Sequence, residues 1–186
     1  MNLEPAESNI TTRIAVAGDA PEISSVLLES FIEYRSRYTP EGFAATTPTS
    51  AQVQERLAEG RTWVVIFNHR IVGTVSAVLR NSSLYVRGMA IVPAARGKGV
   101  GRLLLRQVEL YASELFCQRL FLSTTPFLER AISLYEHYGF KRTSEGPDSL
   151  FGTPIFTMEK VLKESSRQLG GRQKEVESGT QPCDQK

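Results

Sequence analysis

The chain has 186 residues, 41 % of them apolar, which suits one domain with one buried core and leaves too little for a second. A formal net charge of +2 gives no electrostatic footprint, so neither nucleic acid nor membrane is expected as a partner. No apolar run approaches the roughly 20 residues of a membrane span, and residues 1–12 carry two glutamates and no signal-peptide core, which points to a cytoplasmic protein.

Cys117 and Cys183 read as ordinary thiols, because two cysteines in unlike surroundings make no disulfide framework. With two histidines and no HExxH or CxxC spacing, no metal is expected.

Residues 1–11 read as a flexible N-terminus, and from Lys163 the sequence turns polar, so residues 163–186 are expected to form a disordered tail. Residues 12–162 remain as the folded domain. Residues 13–16 read as a short strand, and Asp19 as the cap of a helix carrying Ile23, Val26, Leu27, Phe31 and Tyr34 at helical spacing. Residues 39–48, rich in Pro, Gly and Thr, read as a loop; Ser50 then caps a short helix with Val53 and Leu57, which Gly60 closes.

Residues 63–67 and 71–79 are β-rich and joined by the turn Asn68, His69, Arg70, which predicts an antiparallel hairpin, with a third strand over residues 84–92. Pro93 stops that strand. After a glycine-rich turn, residues 100–115 place Leu103, Leu104, Val108, Tyr111, Ala112 and Leu115 on one helical face. A strand over 119–123 follows, then a helix opened by Thr125 and Pro126 and stopped by Gly139. The last strands are expected at 140–142 and 155–158. The resulting order, βααβββαβαββ, is an α+β fold with helices packed on a mixed sheet.

Arg96, Gly97, Lys98, Gly99, Val100 and Gly101 sit where a strand ends and a helix begins, so unpaired backbone amides point outward along the positive end of the helix dipole. Lys98, Arg102 and Arg106 crowd that N-terminus, where each cation is unfavourable by roughly 0.3–1 kcal/mol. A phosphate or pyrophosphate would reverse that sign. Glycines alone also fit a tight strand-to-helix connection. A dinucleotide GxGxxG starting at Gly97 would need glycine at Arg102, and no GxxxxGK[ST] loop is present.

With Arg96, Gly99 and Gly101 in the pattern [QR]xxGx[GA], and residues 131–140 in the pattern AxxLYexxGF, the chain resembles the GNAT superfamily of acyl-CoA N-acyltransferases over about residues 12–160. The resemblance implies a mixed central sheet with a V-shaped splay between the fourth and fifth strands and helices on both faces. It implies acetyl-CoA as co-substrate, with the backbone of Met89, Ala90, Ile91 and Val92 along the pantetheine arm. Arg96, Gly97, Lys98, Gly99, Val100, Gly101 and Arg102 would hold the pyrophosphate. Gly88 would mark a β-bulge that opens the splay, where a backbone amide polarises the thioester carbonyl.

Tyr135 matches the tyrosine that protonates the departing thiolate in this family, and it also fits as amphipathic core on its helix. Two departures stand out. Leu128 replaces the family asparagine that contacts the coenzyme, leaving that contact to Ser123, Thr124 or Thr125. The strand over 84–92 has Arg87 and no acid, so a general base is not assigned; Glu29 and Glu33 are candidates that also read as a solvated helix face. His137 lies about 200° around the helix from Tyr135, and neither it nor His69 is assigned to catalysis.

By the same resemblance, residues 34–48 and 143–154 build the acceptor pocket. Tyr34, Tyr38, Phe43 and Phe151 would make it aromatic, and they fit equally as caps over the core. The expected function is N-acetyl transfer to a primary amine by direct attack in a ternary complex. The acceptor is a small-molecule amine or a protein or peptide amine, and a homodimer is left open. A longer-chain N-acyltransferase and a non-catalytic acyl-CoA sensor are the alternatives.

Overall fold

The computed structural model describes residues 10–162. The expected polar tail and residues 1–9 of the expected flexible N-terminus lie outside the described residues. Among the described residues no helix is long and apolar enough to cross a membrane.

Strand β1 (Ile10–Ile14) is followed by α1 (Ala20–Phe31), a 3-10 stretch (Ile32–Arg37), α2 (Pro40–Thr46) and α3 (Ser50–Glu59). The meander β2 (Arg61–Phe67), β3 (Arg70–Arg80), β4 (Ser83–Ile91) leads into α4 (Val100–Glu114), β5 (Arg119–Thr124) and α5 (Glu129–His137). Then come β6 (Lys141–Thr143), β7 (Ser149–Leu150), β8 (Thr153–Pro154) and β9 (Phe156–Val161). Seven strands form one sheet in the order β1-β2-β3-β4-β5-β9-β6; only β4 and β5 run parallel, so the sheet is mixed as expected.

The middle strands are apolar on both faces because helices cover both. Val64, Val65 and Val75 are fully buried, with α1 against β3 and β4, and α4 against β2, β3 and β4. The face of α4 carrying Leu104, Leu105 and Val108 closes the core with Leu84, Leu120, Phe140 and Met158. Fully burying each such side chain contributes about 1.5–3 kcal/mol. Gly73 allows the close approach of α4, since a Cβ there would lie 2.8 Å from Val100 Cγ1.

Four local readings are corrected. Asp19 stands before α1, but its carboxylate does not cap that helix: it accepts from Val16 N at 2.7 Å and pairs with both terminal nitrogens of Arg13 at 2.6 and 2.8 Å. A two-pronged guanidinium outcompetes a single helix amide. Residues 39–48 are not a plain loop: Thr39 caps α2 by accepting from Gly42 N, and Pro40 fills the first turn. The cap of α3 is Thr49, in a reciprocal box with Gln52, one residue before the expected Ser50.

Helix α5 starts at Glu129 and not at Thr125, because residues 126–127 turn so that Phe127 packs against Tyr34 and Tyr38. Its end agrees with expectation. Gly139 takes φ +95°, with Phe140 N donating to Tyr135 O and Gly139 N to Glu136 O, a Schellman stop.

Candidate active site

Strand β4 controls the site. Its register with β3 runs Thr74↔Ala90 and then Ser76↔Arg87, so β4 spends one extra residue at Gly88–Met89, and Gly88 takes φ +58°. The parallel ladder to β5 ends at Tyr85↔Phe121. Beyond it the two strands diverge, leaving two backbone edges, β4 from Val86 and β5 from Leu122, facing a V-shaped cleft.

A cavity of about 1040 Å³ occupies that cleft. Its wall contains ten of the residues singled out from the sequence: Met89, Ala90, Ile91, Arg96, Gly97, Gly99, Val100, Gly101, Arg102 and Tyr135. Val92 is outside the wall, with its amide donating to Val72 O at 3.0 Å. Lys98 turns its ammonium over the Phe67 ring, 4.7 Å from the centroid.

The glycines divide by role. Gly97 and Gly99 hold φ +76° and +80°, and a Cβ on either would meet nothing within 4 Å, so these two serve the turn and keep its outer surface open. Gly101 lets α4 approach α5: a Cβ there would lie 2.6 Å from Leu134 Cδ2. Gly99 precedes the first turn of α4, whose amides have no intrahelical acceptors. Arg96 points inward, donating to Ile91 O at 3.3 Å, Ser30 O at 3.0 Å and Glu33 Oε1 at 2.5 Å. Its side chain therefore ties the loop to the end of α1.

Tyr135 is buried, with its ring 5.8 Å from that of Phe140. Burial pushes the phenol well above the ordinary tyrosine range, and the neighbouring Tyr38 phenol adds to the rise. Tyr135 is therefore protonated at neutral pH. Tyr38 is also raised by burial, opposed by the hydroxyls of Thr125 and Thr46. Leu128, where a coenzyme-contacting asparagine is expected, reaches the cavity beside Ser123, Thr124 and Thr125.

At the other end, Tyr34, Tyr38 and Phe151 line the wall, whereas Phe43 sits behind Tyr38 at 6.0 Å. The 143–154 segment contains a hairpin missed in the sequence, β7–β8, turned by Phe151 and Gly152, both at positive φ. Thr39 fastens it to α2: Thr39 N donates to Thr153 Oγ1 and Thr39 Oγ1 to Phe151 O. Sequence reasoning also missed Arg56, Tyr85 and Phe127; Arg56 and Tyr85 line the cavity. A clue was available in Arg87, a charge inside an otherwise apolar strand. No carboxylate or imidazole is among the described wall residues, and Glu33 is committed to Arg96.

A family model described as Acetyltransferase (GNAT) family matches residues 28–140. The chain is 31 % identical over 147 residues to an uncharacterized N-acetyltransferase, YjgM, of Escherichia coli (strain K12), a match covering 76 % of this chain and 87 % of that one. It is 33 % identical over 88 residues to an N-acetylaspartate synthetase of Danio rerio, covering 46 % of this chain and 31 % of the relative. In fold it resembles the PaiA N-acetyltransferase of Thermoplasma acidophilum, solved in complex with coenzyme A, with a TM-score of 0.71 at 17 % identity over 83 % of this chain and 99 % of that one. The matched segment contains the bulged strand, the glycine loop and Tyr135, and the chain belongs to the acetyltransferase (GNAT) family and is an acyltransferase.

Proposed function

We propose that the protein transfers the acetyl group of acetyl-CoA to a primary amine by direct attack within a ternary complex. The observation that carries this reading is the coincidence, in one cavity, of an unpaired β4 edge, an open glycine turn at a helix N-terminus and a buried protonated tyrosine. Coenzyme A in the PaiA complex supports the donor, and the N-acetyltransferase name of the Escherichia coli relative and the N-acetylaspartate named for the Danio rerio relative support the bond formed.

The amides of Gly97, Gly99, Val100, Gly101 and Arg102 suit the pyrophosphate, with the charge of Arg102 adding to its neutralisation. The β4 edge from Met89 to Ile91 offers backbone partners to the amide groups of the pantetheine arm. An amide freed by the bulge polarises the thioester carbonyl, a fixed donor that needs no reorganisation as charge develops.

The amine nitrogen attacks the carbonyl carbon, the C–S bond breaks, and the thiolate receives a proton as it departs. Tyr135 supplies that proton and recovers one from the nitrogen, which is becoming an amide. A thiol titrates near ~8.5, below the raised phenol, so full transfer is uphill; hydrogen-bond donation to the developing thiolate carries most of the benefit. With no carboxylate or imidazole among the described wall residues, the ammonium form of the acceptor loses its first proton to solvent.

The test follows thiol release from acetyl-CoA with a panel of amines. Tyr135→Phe should lower kcat by about 10- to 1000-fold while leaving the acetyl-CoA Kd within about threefold. Equal rates would remove Tyr135 from the chemistry, and no turnover with any amine would favour a coenzyme sensor.

A further inference from the structure

Opposite the glycine loop, the cavity wall carries two guanidiniums with little to neutralise them. Arg87, on β4 just before the bulge, and Arg56, on α3, both line it. Arg56 spends one nitrogen on Ala45 O at 3.0 Å. Arg87 lies 2.8 Å from a single carboxylate, that of Glu59, at an angle that makes no hydrogen bond, and its Nε is buried without an acceptor among the described residues. Two cations thus face one anion that is itself nearly half exposed. Burial and then the charge of Arg87 pull the Arg56 pKa below the ordinary guanidinium range, so the pair repels.

Two like charges on one cavity wall are costly, and a ligand anion seated against them offsets the repulsion. Resting on the acetyl-transfer reading, we infer that Arg56 and Arg87 bind a carboxylate of the acceptor, which is therefore a free amino acid or a similarly small amino carboxylate. Arg87 and Arg56 line the same cavity as the bulge at Gly88–Met89, so an amino carboxylate small enough to lie between them can keep its amine at the bulge and its carboxylate on the guanidiniums. The coenzyme's phosphates belong to the other end, at α4, and leave this pair free. A peptide N-terminus, whose nearest carbonyl is an amide, offers no charge to it.

The experiment uses the full chain, acetyl-CoA and L-amino acids, each beside its primary amide, its decarboxylated amine and a peptide beginning with the same residue. At least one amino acid should be acetylated with kcat/KM about 100-fold or more above its three counterparts, because a site built around polar groups rejects analogues that leave them unpaired. Arg56→Gln and Arg87→Gln should each bring that ratio below about tenfold while the acetyl-CoA-induced rise in Tm persists. Amides, amines or peptides used as well as amino acids would overturn the inference, as would a ratio unchanged in both variants. Failure of every amino carboxylate while acetyl-CoA still raises Tm would overturn it and leave the coenzyme site standing. If either variant fails to fold, the substrate ratio of the parent decides alone. Absence of any acetyl-CoA shift would overturn the transfer reading and this inference with it.

Discussion

Arg96 and Glu33 form a 2.5 Å ion pair that joins the glycine loop to the turn after α1, and the same guanidinium reaches Ser30 O and Ile91 O. The loop's arginine therefore acts through position. Arg96→Ala should lower both Tm and acetyl-CoA affinity, since the loop loses its anchor. Glu33→Gln should cost about 1 kcal/mol of stability or less, as for a half-exposed pair. Its kcat should remain within about threefold; a loss of 100-fold or more would make Glu33 the base.

An amine that sheds its proton to solvent imposes its own pKa on the rate. For an accepted amine, kcat/KM should rise about tenfold per pH unit until the acceptor's own pKa, and amines of lower pKa should reach the plateau earlier. A plateau at the same pH for acceptors of different pKa would reveal an enzymic base.

The acceptor roof depends on Thr39, which caps α2 and holds the β7–β8 hairpin. Gly42 lies beneath it, where a Cβ would clash with the hydroxyl of Thr153 and lie 2.8 Å from that of Thr39. Gly42→Ala and Thr39→Ala should each raise KM for the amine several-fold with little change in acetyl-CoA affinity. Losing the cap should cost about 1 kcal/mol in denaturant unfolding.

Asp19 makes stability depend on acidity. Its hydrogen bonds from Arg13, outweighing burial with help from Val16 N, hold the carboxyl below the ordinary range. A depressed native pKa stabilises the fold above the unfolded value near ~3.9, and this is lost as pH falls through the native value. Asp19→Asn should therefore be less stable than the parent at pH 7 and converge with it at acid pH. A gap independent of pH would contradict this.

Much of the scaffold was legible because its signals are periodic or conformational. The apolar face of α4, the β-rich runs of β2 to β4, and the glycines at 88, 97, 99 and 139 each admit few readings, and all four glycines adopt positive φ. What stayed hidden depends on partners distant in sequence. Asp19 is a plausible helix cap until Arg13 competes for it. Thr39–Pro40 is a cap signal that a cluster of loop-forming residues obscures. The β7–β8 turn places Phe151, not a usual turn residue, at φ +48°, supported by its contact with Thr39. Arg56 and Arg87 belong to one wall only because side chains of α3 reach across to β4, as the Glu59–Arg87 pair does, and no spacing in the sequence announces it.

The central claim is that the glycine turn receives the coenzyme's pyrophosphate, and the shift in Tm caused by acetyl-CoA tests it across the parent, Gly99→Ala and Gly99→Glu. Both variants carry the strain of a side chain at φ +80°, roughly 1 kcal/mol, but only the glutamate places an anion beside the phosphates. A large shift in the parent, a reduced one for alanine and none for glutamate is the predicted result. Equal shifts in all three proteins would contradict the assignment of the loop.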